Sequence, residues 1–310
     1  MNKQNTFKRT IGNKKGISAI LVLGLLLFAT CTIAVKAAPT SYVSSTTVNL
    51  GSATTFSVFS AASSITPTIT NTGSTTITGD VGTSSTASSI TGFGLVSHGT
   101  YATSSLVTGN VYAYDYASPT PSLLTTAAGD IQNVYTEASV LPYTKDLTAT
   151  PNLGGQTLTP GVYYFESSAG LTGTLTLSGG PSDVWIFQIG STLITASDSH
   201  VVIGDAQPCN VIWQVGSSAT LGTNTDFNGT ILAHTSITAN TGATVDGRLL
   251  ALNGAVTLDT NTINNQKGQL PLNVVPEYTL GALAALGASF AALLVYKRKS
   301  LPNLHLNTHI

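Results

Sequence analysis

Charge is what this 310-residue chain has least of. Only 8% of its residues are Asp, Glu, Lys or Arg, against a hydrophobic share of 42%, where about 25% charged is usual. A surface this poor in charge has to be covered by Thr, Ser, Asn and Gly. The net charge of -1 hides an uneven distribution. Basic residues gather in the first 36 positions and at Lys297-Arg298-Lys299, leaving Lys145, Arg248 and Lys267 to face all 13 acidic groups in the middle. A middle this acidic excludes nucleic acid and an anionic membrane surface as partners of the body. Cysteine is nearly absent too. Cys31 and Cys209 cannot build a disulfide framework, so stability has to come from packing, and Cys209 reads as a buried thiol. Histidine is sparse, and His98, His200 and His234 lack metal-ligand spacing, so neither a metal nor another cofactor is expected.

The two ends read as addresses. Lys3, Lys8, Arg9, Lys14 and Lys15 precede an apolar run from Ile17 to Val35 and the small-residue site Val35-Lys36-Ala37. That order predicts a secretory signal over 1–37, with an uncleaved anchor as the alternative. At the other end Val275-Pro276-Glu277-Tyr278 leads into an apolar stretch, 278–296, and then into the basic Lys297-Arg298-Lys299. About 20 apolar residues span a bilayer, and the basic cluster puts the last residues on the cytoplasmic side. The Pro-Glu pair, apolar helix and basic cluster of 271–310 together resemble the PEP-CTERM-like sorting tails of prokaryotic surface proteins. That resemblance implies a sortase-like processing enzyme as a partner, with plain membrane anchoring as the alternative. Either places the body, 38–270, outside the cell.

Within the body, 43–110 alternates apolar and polar residues in short runs such as Thr54-Thr-Phe-Ser-Val-Phe59, broken by Gly and Ser, which predicts short strands. Leu124, Ala127, Ala128, Ile131, Val134, Tyr135 and Ala138 recur at helical spacing between Pro121 and Pro142, predicting a helix over about 121–140. Residues 143–160 read as a connector. From 161 on, runs such as Gly161-Val-Tyr-Tyr-Phe165, Val211-Ile-Trp-Gln-Val215, Gly229-Thr-Ile-Leu-Ala233 and Gly247-Arg-Leu-Leu-Ala251 are apolar at consecutive positions. Strands of this kind are buried on both faces; the helix is the expected cover for one.

Five further passages each lead with Thr: Thr176-Leu-Ser-Gly179, Thr195-Ala-Ser-Asp198, Thr220-Leu-Gly-Thr223, Thr238-Ala-Asn-Thr241 and Thr257-Leu-Asp-Thr260. Their leading threonines lie 19, 25, 18 and 19 positions apart, the spacing of stacked turns in a repeat fold. Strand alternation sends Ala219, Ile237, Val256 and Leu221, Ala239, Leu258 inward. It sends Thr195, Thr220, Thr238 and Thr257 outward as a column, with Ser197 and Asn240 beside it. Thr176 is expected at the margin, and Thr223, Thr241 and Thr260 at a corner.

The run Asp183-Val-Trp-Ile-Phe-Gln-Ile-Gly190, the run Cys209-Asn-Val-Ile-Trp-Gln-Val-Gly-Ser-Ser-Ala-Thr-Leu-Gly-Thr223 and the run Ala243-Thr-Val-Asp-Gly-Arg-Leu-Leu-Ala251 resemble the DUF3494 ice-binding protein family. The likeness covers about 45–265. It implies a mainly β fold: an irregular, discontinuous right-handed β-solenoid of triangular section with one long α-helix packed alongside. It also implies an ice crystal surface as partner, met by a flat face carrying Thr-Ala/Gly-X-Thr/Asn. Thr238-Ala-Asn-Thr241 meets that motif in full, Thr220-Leu-Gly-Thr223 and Thr257-Leu-Asp-Thr260 keep both threonines, and the passages at Thr176 and Thr195 depart from it. Membership in this family implies a protein that is not an enzyme, with a monomeric body.

Two other classes compete. Solenoids also host polysaccharide-cleaving enzymes, which need converging carboxylates or a metal. Asp183, Asp226, Asp246 and Asp259 fall at different positions of the repeat, and Asp226 and Asp246 read as turn residues. A cell-surface adhesin or structural exoprotein binding glycans or other cells is the alternative that the anchor supports equally well.

Overall fold

The computed structural model describes residues 50–61 and 67–265. The expected signal segment with Cys31, the Pro-Glu motif, the apolar stretch 278–296 and the basic tail all lie outside the described residues. Among the described residues no helix is long and apolar enough to cross a membrane.

The described residues are mainly β with one α-helix. Among the described residues a 16-stranded sheet carries most of the chain, parallel apart from the pairings of Ala102–Ser104 with Val96–Ser97 and with Val107–Ala113, and a second sheet holds seven short strands. In the first, Gly161–Phe165, Trp185–Ile189 and Val211–Val215 pair in parallel, followed by the second halves of Asp226–Ala233 and Thr244–Ala251. Ile212, Thr230 and Arg248 stand in one row, which is the 18-residue repeat expected of these segments. Alternation divides each strand between two cores. Val211, Trp213 and Val215 enter the interior, while Ile212 faces the other way with Val162, Ile186, Leu232 and Leu250.

That second apolar row is what the helix covers. Helix α1, Thr120–Val140, buries Leu124, Ala127, Ile131, Val134 and Ala138 on one stripe, against Ile186, Ile212, Leu232 and Leu250. At 1.5 Å per residue its 21 residues reach about 30 Å, or about six strand spacings of 4.8 Å. Pro121 sits in its first turn, where an amide has no helical acceptor. Its last turn leaves carbonyls unbonded, and Gln188 supplies the donor: Nε2 reaches Ala138 O at 2.8 Å and Leu141 O at 2.7 Å.

Three long strands, Val107–Ala113, Asp226–Ala233 and Thr244–Ala251, bend part-way and join a further ladder of Thr174–Leu177, His200–Ile203, Thr262–Asn264 and Thr76–Thr78. Gly229 and Gly247 pair across one bend with φ of 121° and 151°. A Cβ on Gly247 would lie 1.9 Å from the Gly229 carbonyl oxygen, so only glycine fits.

The segment read as a connector contains two of these strands, Lys145–Asp146 and Thr157–Leu158, which pair with Tyr163-Tyr164 and Thr176-Leu177. They are too short and too rich in Pro and Gly to register as strands. The N-terminal strands do not begin the stack. Phe56–Ser60 pairs with the second half of Thr244–Ala251, Val58 opposite Leu249, and this pairing closes the sheet on itself. Three side chains secure the join. Ser60 Oγ donates to Gly254 O at 2.7 Å, Arg248 to Thr54 O at 3.2 Å, and Asn265 to Thr54 O at 3.2 Å and Thr55 O at 3.3 Å. Burial pulls the Arg248 pKa below its ordinary value.

Candidate functional site

The seven-stranded sheet runs Ala169–Leu171, Leu193–Thr195, Ala219–Leu221, Ile237–Ala239, Val256–Asp259, Ile69–Thr72 and Ile90–Thr91. Its register aligns one buried row: Ala169, Leu193, Ala219, Ile237, Val256, Ile69 and Ile90. The next residue of each strand points the other way. That outward row reads Gly170, Ile194, Thr220, Thr238, Thr257, Thr70 and Thr91. Thr220 through Thr91 form an unbroken run. At about 4.8 Å per strand the run extends about 19 Å, and no element among the described residues covers it. The apolar residue before each Thr fixes the arrangement, because a one-residue slip would bury the hydroxyls and expose Ile and Val.

Sequence reading found Thr220, Thr238 and Thr257 but not Thr70 and Thr91. The signal was present: Ile69-Thr70 and Ile90-Thr91 repeat the apolar-Thr step of Ile237-Thr238 and Val256-Thr257. Position along the chain concealed it, since these N-terminal strands stack after the last C-terminal one.

Thr176, expected at the margin, and Thr195, expected in the column, both stand elsewhere. Thr176 lies in the other sheet, opposite Val202 and Thr157. Thr195 faces inward at 3% exposure, and its outward place is taken by Ile194, 53% exposed. The passage at 195 is offset by one residue from its neighbours. Its hydroxyl compensates for the offset: Oγ1 accepts the Gly222 amide at 2.8 Å and pairs with Thr225 Oγ1 at 2.8 Å. Elsewhere the equivalent amide bonds a main-chain carbonyl, as Asn240 N does to Leu221 O. Thr195→Val keeps the shape and removes the acceptor, so a buried amide loses its partner. We expect a loss of about 1–3 kcal/mol in denaturant unfolding, with the threonine run untouched; an unchanged midpoint would contradict this account.

The offset moves Ser197 as well. It stands at the corner in the position of Thr223 and Thr241, not beside the column, whereas Asn240 follows the outward row together with Asp259 and Thr72. Thr260 occupies the corner with φ 52°, a conformation that β-branched residues rarely adopt. Asp259 holds it there. Its carboxylate accepts the hydroxyl of Thr241 and, at 3.0 Å, that of Thr260. The one charge on the seven strands is thereby engaged with its neighbours. Beneath the corner, buried Asn261 donates to Asn240 O at 2.9 Å and Ala243 O at 3.2 Å and accepts the Asp259 amide at 2.7 Å.

Asp226 and Asp246, read as turn residues, lie in strands. Asp226 faces His200 at 3.8 Å, and Asp246 accepts from Asn264 Nδ2 at 3.0 Å. Asp183 does serve a turn, accepting the Gly180 amide at 2.8 Å. Cys209 is buried and donates to Asn210 Oδ1 at 3.4 Å; burial pushes its thiol pKa up, which keeps it protonated at neutral pH. A cleft of about 460 Å³ lined by Thr54, Thr55, Thr78, Gly79, Asp80, Thr108, Gly109 and Asn265 holds a single carboxylate among the described residues, where glycoside cleavage calls for two.

Comparison with known proteins converges on one description. A family model described as ice-binding-like matches residues 61–264. An ice-binding protein of Nostoc sp. (strain HG1) is 43% identical over 284 residues, covering 90% of this chain and 94% of that protein. One from Flammulina populicola is 38% identical over 246 residues, covering 77% and 93%. Among solved structures, an ice-binding protein from an Arctic yeast superposes with a TM-score of 0.67 at 35% identity, covering 71% of this chain and 94% of that one. The DUF3494 domain of a Shewanella frigidimarina ice-binding protein gives a TM-score of 0.63 at 31% identity, covering 69% and 95%.

Proposed function

Because the chain belongs to the ice-binding-like family, we propose that it binds ice through the outward row Thr220, Thr238, Thr257, Thr70 and Thr91. The unbroken in-register run of these five threonines carries the reading. Each presents a methyl and a hydroxyl at a fixed repeat, and β-branching leaves few χ1 choices, so little rotamer entropy is lost on contact. Methyl groups hold water in cage-like order while hydroxyls anchor it, and a flat array of such water merges with a growing crystal. Thr223, Thr241, Thr260, Ser197 and Asn240 flank the row. Lys, Arg and Glu, whose mobility and strong hydration would disturb that water, are absent from these strands.

In this reading the ladders are the sides of a discontinuous right-handed solenoid of triangular section, and the protein is a binder, not an enzyme. The body is displayed at the cell surface, exported by the N-terminal signal and held by the C-terminal apolar stretch unless a sortase-like enzyme processes it. Fractionation of cells making the full chain checks this: a body inaccessible to external protease sinks it.

A single ice crystal held in a solution of the purified protein tests the function. Faceted growth and a gap between melting and freezing temperatures are expected. Growth as a round disc with no gap defeats the proposal.

A further inference from the structure

The threonine row has a counterpart around the corner. In the ladder that follows it, Leu175, Val201, Phe227, Val245, Ile263 and Ile77 point inward and are buried. The alternate residues form a second outward row in register: Thr174, His200, Asp226, Thr244, Thr262 and Thr76. One half of this row is unlike ice chemistry, because the His200–Asp226 pair is exposed and strongly hydrated. The other half is threonine alone. Thr262 and Thr76 are exposed and Thr244 half-buried. The adjoining row continues with Asn264 and Thr78, and its Asp246 has one oxygen engaged by Asn264.

These threonines belong to the same turns of chain as the first row. Thr238 and Thr244, Thr257 and Thr262, and Thr70 and Thr76 are three successive pairs, one member on each side of a single corner. The corner between them is rigid. Asn261 ties the middle turn to the one before it through Asn240 O and Ala243 O, and its amide bonds Thr75 Oγ1 of the next at 3.0 Å. Asp259 fixes the Thr241 and Thr260 hydroxyls.

We propose that Thr244, Thr262 and Thr76 form a second ice-contacting row, meeting a different crystal plane from the one that Thr238 meets. This rests on the ice-binding reading of the first row. Both rows share what that reading requires: β-branched hydroxyl residues, a parallel in-register repeat of about 4.8 Å, and no Lys or Arg between them. Two such rows at a fixed angle make an edge that adsorbs to two sets of planes. The second row is limited to three threonines because His200 and Asp226 interrupt it.

Fluorescence-based ice-plane affinity on the purified chain separates the possibilities. The unmodified protein is expected to label two families of planes. Thr262→Tyr should lose one of them and Thr238→Tyr the other, with circular dichroism and melting unchanged in both. If Thr262→Tyr does not fold, Thr76→Lys repeats the test one turn along. Labelling by Thr262→Tyr and Thr76→Lys identical to the unmodified protein overturns the second row and leaves the first standing. Absence of labelling by the unmodified protein overturns the ice-binding reading itself, and the second row with it.

Discussion

Thr238→Tyr is expected to cut the gap between melting and freezing sharply and to lose the crystal planes met by the first row, leaving only those met by Thr244, Thr262 and Thr76, while unfolding stability stays within about 0.5 kcal/mol, as for most surface changes. Thr238 is flanked on both sides, by Thr220 and by Thr257. Its side chain points away from the core while Ile237 and Ala239 anchor the strand beneath it. Tyrosine suits an exposed strand position, so the backbone has no reason to move. Its ring, however, stands above the plane of its neighbours and holds a flat crystal surface away from both. The methyl and hydroxyl contacts of three adjacent strands are then lost together. Thr91→Tyr, at the end of the run, should weaken activity less, because four threonines remain level. A Thr238→Tyr protein that folds and keeps the full gap and the same labelled planes as the unmodified protein would mean that the first row does not bind ice.

The largest stability effect is expected at Trp213. It is fully buried, stacked on Phe187 at 3.9 Å with an interplanar angle of 8°, and 5.0 Å from the ring of Phe227. Its Nε1 donates to Asn228 O at 3.1 Å. Phe187 in turn stacks on Tyr163 at 5.5 Å, so one aromatic column runs through three successive strands. Trp213→Ala breaks the chain of rings between Phe187 and Phe227 and leaves a cavity that stiff paired strands cannot close. A loss of about 3–5 kcal/mol follows, read as a lower denaturant midpoint with little change in slope. A loss below about 1 kcal/mol, well under the usual range for such truncations, would show that the core relaxes around the gap.

Most of the architecture was legible because it is local. Leu124, Ala127, Ile131, Val134 and Ala138 announced the helix by their spacing, and the consecutive apolar residues of Val211–Val215 announced a strand with a core on each side. The run Thr220, Thr238 and Thr257 was legible for the same reason, each Thr lying between two inward apolar residues. Thr195 misled because its passage opens with the Thr-Ala of the motif, yet the offset at Ile194 moves the hydroxyl inside. Nothing local distinguishes a threonine that caps an interior amide from one that faces water. Thr70 and Thr91 were hidden differently: their membership depends on which strands become neighbours in space, and that is settled by the pairing of Val58 with Leu249, far apart along the chain.

That pairing sets a timetable for the molecule. Thr54 and Arg248 bond across a separation of 194 residues, so the strand Phe56–Ser60 leaves the ribosome long before its partner exists. At about 5–20 residues per second the interval is tens of seconds. Throughout it the strand has an unpaired edge and two apolar faces, a form prone to pair with other chains. The assembly that ends the interval is dominated by distant contacts, and such contacts form slowly. The five-threonine run is therefore completed last, when Thr70 and Thr91 come to rest beside Thr257, and an unfinished chain presents three of its threonines at most.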